Sequence, residues 1–151
     1  MSSNRIGAPR FVLRIWTATV GLLAGGLACQ VNAPPPPPQG DGTVSFATQI
    51  QPILVTNCSG CHSPGGSAVL AGIPMHLTEG EAYDAIVNQP SVQDATWTRV
   101  VPGDSANSLV YLKVSSNNPP VGVRMPRFTP PLSSTEIGLI RDWIDQGALN
   151  N

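Results

Sequence analysis

The sequence predicts an all-α domain of four to five short helices over residues 43–151. Three observations point there: apolar residues recur at helical spacing at both ends of that stretch, capping-box pairs stand before two of the periodic segments, and no buried aliphatic run reads as a strand. With 151 residues, 5 % aromatic side chains, 16 prolines and 15 glycines, the chain has material for one small, loop-rich domain rather than for a large core.

The N-terminal segment belongs to something else. Arg5, Arg10 and Arg14 precede IWTATVGLLAGGLA, an uncharged apolar run of 14 residues that ends at Cys29. That is the layout of a secretory signal, and the run is short of the ~20 apolar residues a membrane span needs. Residues 1–28 are therefore read as a signal peptide, and the protein as exported to the periplasm or the cell-envelope side. The segment GGLAC resembles a bacterial lipoprotein signal, which implies lipid on Cys29 and a mature chain beginning there; ordinary cleavage near Ala28 or Ala33 is the alternative.

Residues 29–42 follow as a proline-rich tether, QVNAPPPPPQGDG after the cysteine. Consecutive prolines favour a polyproline II rod of about 3.1 Å per residue, which would hold a domain off a membrane surface. Past residue 28 the chain carries five basic residues against nine acidic ones, net −4, so nucleic acid is a poor partner. Membrane contact is expected only through a lipid at Cys29.

Within the domain, Phe46, Ile50, Ile53 and Leu54 share one face of a first helix that runs up to Cys58, with Pro52 expected to kink or limit it. Thr78 and Glu81 form a capping-box pattern before EGEAYDAIVN, a second helix. Asp104 or Ser105 is placed to cap a third, ANSLVYLKV. Ser133 and Glu136 form a second capping box, Leu132 and Ile137 are positioned to staple across it, and Ile137, Ile140, Trp143 and Ile144 share a face before Gly147 stops the helix. This last helix is expected to pack on the first.

The chemistry is concentrated in Cys58-Ser-Gly-Cys61-His62. A thioredoxin-type disulfide uses the same cysteine spacing but belongs beside a βαβ pattern, which is missing from the sequence pattern here. A structural zinc ion takes four protein ligands, and Cys58, Cys61, His62 and the distant His76 would make up that number; adjacent Cys61 and His62 fit poorly, because paired zinc ligands are usually spaced by two to five residues. Haem suits the spacing best. The two cysteines form thioethers with the vinyl groups, and the next residue places an imidazole under the iron. Such attachment is made outside the cytoplasm, in agreement with the signal, and one covalently bound haem c is the expected cofactor.

Three segments, FATQIQPILVTNCSGCH, VVPGDSANSLVYLKV and MPRFTPPLSSTEIGLIRDWIDQGA, resemble class I c-type cytochromes in that family's order, over most of residues 46–148. The resemblance implies a cytochrome c-like fold around a single haem in an exported bacterial electron carrier. It implies a distal methionine in the loop before the last helix, where Met125 stands among Pro119, Pro120, Pro126, Pro130 and Pro131. Each proline restricts the unfolded chain and lowers the ordering cost of that loop. The resemblance also offers Pro74 as the backbone acceptor for the haem imidazole's second N–H.

The competing sixth ligands are Met75 and His76, and the histidine would lower the potential relative to methionine ligation. Met75 and Leu77 are expected to point inward and His76 outward. Trp97 and Arg99 carry donors suited to haem propionates, against a half-buried core tryptophan and a surface arginine as the plain alternatives. Arg124 and Arg127, flanking Met125, are expected to form a positive patch for an acidic redox partner. With His62 and Met125 both on iron, no coordination site is left for an oxygen or peroxide substrate. The expected function is therefore electron transfer between Fe(III) and Fe(II), not catalysis. A gas- or peroxide-binding haem domain, or a haem subunit of a larger exported oxidoreductase, stands as the alternative.

Overall fold

The structure, a computed structural model, describes residues 42–151. The signal segment and all but the last residue of the tether, Cys29 included, lie outside the described residues. The described chain is helical, with isolated β-bridges and no strand: a π-helical turn Phe46–Ile50, then α1 (Gln51–Asn57), α2 (Ser67–Leu70), α3 (Ala82–Ile86), a 3₁₀ turn Ser105–Asn107, α4 (Leu109–Ser115) and α5 (Ser134–Asp145). Among these residues no helix is long and apolar enough to cross a membrane.

The first helical segment buries the four residues that its periodicity selects, Phe46, Ile50, Ile53 and Leu54. It is not one kinked α-helix. A π-turn capped by Ser45 hands over to α1, and Pro52 falls in the first turn of α1, where its missing N–H has no intrahelical partner to lose. The second predicted helix is also shorter than its pattern. Thr78 Oγ bonds the Glu81 carboxylate rather than a backbone N–H, so no side chain caps α3, which starts only at Ala82. It ends before extended Val87 and Asn88 at φ 57°. The third breaks in two: Asp104 caps the 3₁₀ turn through the Asn107 N–H (3.1 Å), and buried Ser108 starts α4 afresh.

α5 follows its sequence pattern closely. The Ser133 hydroxyl accepts from the Glu136 N–H (3.2 Å) while the Glu136 carboxylate accepts from the Ser133 N–H (2.8 Å). Ile140, Trp143 and Ile144 are buried and Ile137 packs against the core; Gly147, at φ 102°, turns the chain away. The Ser133 hydrogen bonds, with help from Asn57, hold the Glu136 carboxyl below its usual range. A lowered folded-state pKa contributes stability above the unfolded value and loses it as pH falls through the folded one. Ser133→Ala is therefore expected to cost about 1 kcal/mol at neutral pH, with the gap to wild type narrowing as Glu136 protonates; urea melts at pH 7 and pH 3 check this, and a gap independent of pH would count against the capping box.

Docking of α5 on the first segment closes the domain. Phe46 lies 5.2 Å from both Tyr83 and Trp143, ring centre to ring centre. The polar ends of that cluster are satisfied, Tyr83 Oη donating to the Ala148 carbonyl and Trp143 Nε1 to the Leu149 carbonyl, each at 2.9 Å. The start of the described residues meets residue 151 nearby, Ala47 N–H donating to the Asn151 carbonyl (2.8 Å).

Candidate functional site

The Cys58–His62 segment continues out of α1 as a tight turn. Cys58 and Ser59 N–H both donate to the Leu54 carbonyl (2.9 and 3.0 Å), and Cys61 and His62 N–H both reach the Cys58 carbonyl (3.1 and 2.9 Å). Ala68 N–H then bonds the Cys61 carbonyl (3.1 Å) and Leu77 N–H the His62 carbonyl (2.7 Å), which ties the end of the turn to α2 and to the segment after it. Gly66 packs against it from α2. A Cβ at that position would lie 2.3 Å from the Cys61 carbonyl oxygen, an approach only glycine permits.

Beside this turn opens a cavity of about 320 Å³. Cys58, Cys61 and His62 line one part of it, Met125 and Phe128 another, and Leu54, Ile73, Leu77, Val110, Leu132 and Ile140 contribute apolar wall between them. A smaller void of about 60 Å³, also lined by His62, Met75 and Met125, is bordered by Arg99 and Lys113.

His62 is only 8 % exposed, and its Nδ1 is buried without a hydrogen-bond partner. Burial lowers the imidazole pKa; the Met75 backbone opposes this, while the positive charges of Arg99 and Lys113 add to it. The ring is thereby held in the neutral form that binds metals. Cys58 is pushed up to about 11, first by burial and then by Cys61 and Glu136. That is the reverse of a redox-active cysteine, whose thiolate is stabilised.

The other sequence candidates separate clearly. Met75 is half-buried on the cavity wall and Leu77 is buried, as their alternation suggests. His76 lies off the wall, with Nδ1 3.6 Å from a Glu81 carboxylate oxygen. Among the described residues no three His, Cys, Asp or Glu side chains converge to hold a metal ion, so the four-ligand zinc set is not assembled. Pro74 is exposed and off the cavity, and the backbone acting on the imidazole belongs to Met75, one residue further on.

Arg99 is not a surface arginine. It is 8 % exposed, donates Nη1 to the Ala85 carbonyl (2.6 Å) and borders the void next to His62. Trp97 is half-buried and lines neither space. Arg124 is drawn inward as well: Nη2 donates to the Val114 carbonyl (3.2 Å) and Nη1 to the Asn117 side chain, which leaves Arg127 to face solvent over the Phe128 ring, 5.0 Å from its centre. Of the two arginines expected to form a positive patch, Arg127 is exposed and Arg124 is half-buried. Gly66 and Lys113 escaped the sequence reading. Only the close approach of α2 marks the first, and nothing in the periodicity distinguishes the second from an exposed helix lysine.

Comparison with family models, curated proteins and solved structures finds no match.

Proposed function

We propose that this protein is an exported mono-haem c-type cytochrome that carries electrons, with haem c joined to Cys58 and Cys61 and ligated by His62 and Met125. The observation that carries this reading is the joint wall: one largely apolar cavity gathers the thiol pair, a buried neutral imidazole with an unpaired nitrogen, and a thioether from a loop far along the chain. Those are the donors a covalently held, six-coordinate haem takes. The haem iron would supply the one-electron couple; the chain's own part is to bind, orient and shield it.

The site's polar groups support the same reading. Arg99 is buried and has no carboxylate partner among the described residues. Carboxylates brought in by haem would satisfy the charge that folding leaves beside His62. Met125 suits the distal position better than His76, which lines no part of the cavity. Electron carriage suits the filled axial positions better than turnover, so the protein is read as a carrier and not as an enzyme.

The deciding experiment is the visible spectrum of the protein exported in a host that matures c-type cytochromes, oxidised and reduced, with carbon monoxide added. A low-spin spectrum with the weak far-red band of methionine–iron ligation, indifferent to carbon monoxide, is expected. A high-spin or carbon monoxide-sensitive spectrum would indicate a ligand-binding haem, and the absence of covalent haem would overturn the proposal.

A redox partner would meet the cavity mouth at Arg127 and Phe128, the latter 81 % exposed. Of the other described cations, Arg99 is buried, Lys113 and Arg124 are held by carbonyls, and Arg141 pairs with Asp142 at 2.7 Å. Arg127→Glu is expected to slow association with an acidic partner several-fold at low salt and to leave the spectrum unchanged. Stopped-flow mixing across a salt series measures this, and an unaltered rate would remove Arg127 from the docking surface.

A further inference from the structure

We propose that Lys113 is the positioning residue for the Met125 ligand loop, clamping that loop to α4 from both ends; the inference rests on the haem reading above. The last turn of α4 would ordinarily leave its carbonyls without partners. Here they go to the loop instead: the Lys113 carbonyl accepts from the Met125 N–H (2.8 Å) and the Val114 carbonyl from Arg124 Nη2 (3.2 Å). The Lys113 side chain crosses the other way, and its Nζ donates to the Val121 carbonyl at 2.7 Å. One residue thus bonds the loop at 121 with its side chain and at 125 with its backbone.

The placement is costly for a lysine. A helix lysine normally keeps its ammonium in water, whereas this one is half-buried on an apolar cavity, has no carboxylate partner among the described residues, and has its pKa lowered by burial. Only two features offset that cost: the Val121 carbonyl and the position of the charge in the last turn of α4, where the helix dipole favours a cation. Gly122 completes the fit. It adopts φ 63°, and a Cβ there would stand 3.1 Å from Lys113 Nζ.

The consequence falls on Met125. A thioether is a weak ligand, so its retention on iron depends on how firmly the loop presents it. The prolines of the loop reduce its freedom without bonding it to anything, whereas Lys113 supplies the bonds.

Lys113→Met tests this in the exported holoprotein, since it keeps length and apolar contact and removes the donor. The variant is expected to retain covalent haem and a cooperative melt, to lose the far-red band, to bind carbon monoxide when reduced and to show a lower potential. Lys113→Arg, which keeps a donor, is expected to restore the band. Gly122→Ala, which crowds the same bond from the loop side, is expected to weaken it. Hydrogen exchange at the Met125 amide of the holoprotein provides a readout independent of the iron's spectrum: at least tenfold faster in Lys113→Met, with the Ile140 amide of α5 unchanged. An intact band, indifference to carbon monoxide and unchanged Met125 exchange would overturn the clamp. Wild-type protein that folds cooperatively without covalent haem would instead overturn the functional reading, and amide exchange in that folded protein would then decide the clamp.

Discussion

Met125→Ala is expected to convert the holoprotein from a six-coordinate carrier into a haem protein with an open iron. The far-red band should vanish, reduced protein should bind carbon monoxide, and the potential should fall by on the order of 0.1 V within the ~0.8 V that axial ligands span. The expectation rests on the cavity wall, where Met125 is brought into the same space as His62 while His76 is held outside it near Glu81. Met75 also lines the space, but its backbone acts on the His62 imidazole, which places it on that ligand's side. His76→Ala should accordingly leave spectrum and potential alone. A Met125→Ala protein with an undiminished far-red band would transfer the ligand role to Met75, and a changed spectrum in His76→Ala would transfer it to that histidine.

The haem-free chain should barely fold. The cavity lies between α1, α4 and α5, walled by Leu54 of α1, Val110 and Val114 of α4 and Ile140 of α5. A space of about 320 Å³ open on one side leaves its apolar walls without packing partners when haem is absent, a penalty set against a whole domain stability of typically about 5–15 kcal/mol. Water entering at the mouth reduces the penalty without restoring the packing on that side, and the core away from the cavity centres on Phe46, Ile50, Ile86, Trp143 and Ile144. Cys58→Ser/Cys61→Ser protein, or wild type produced without haem attachment, is therefore expected to show weak helical circular dichroism, bind a hydrophobic dye and lack a cooperative melt. A sharp transition close to that of the holoprotein would mean that the cavity is tolerated empty and that haem is not part of the core.

Helices whose residues interact mainly with their own neighbours were legible in the sequence. The Ser133–Glu136 box, the buried face of α5 and its stop at Gly147 all involve contacts within a few positions. The buried set Phe46, Ile50, Ile53 and Leu54 was legible for the same reason, although the π-turn that accommodates Pro52 was not. The Thr78–Glu81 pair shows the limit of pattern reading. The same two residues that would cap a helix bond each other's side chains instead, and α3 begins uncapped.

Charged residues were the least legible. Arg99, Arg124 and Lys113 look alike in the sequence as isolated cations in a net acidic domain, yet one is buried beside His62 and the other two tie the Met125 loop to α4, Lys113 from the helix and Arg124 from the loop. Their roles depend on which carbonyls other segments leave unpaired, and that is a property of packed helix ends and loops.

From sequence alone came the helical class of the domain, the grouping of Cys58, Cys61 and His62 within one turn, and the acidic balance of the chain past residue 28. These follow from spacing and composition, whose physical consequences act over a few residues. Tertiary structure decided that Met125 and not His76 shares the cavity with His62, that Gly66 must be glycine, and that a lysine on α4 holds the loop. Each of these depends on segments distant in the chain approaching to within hydrogen-bond or van der Waals distance, and no periodicity encodes that approach.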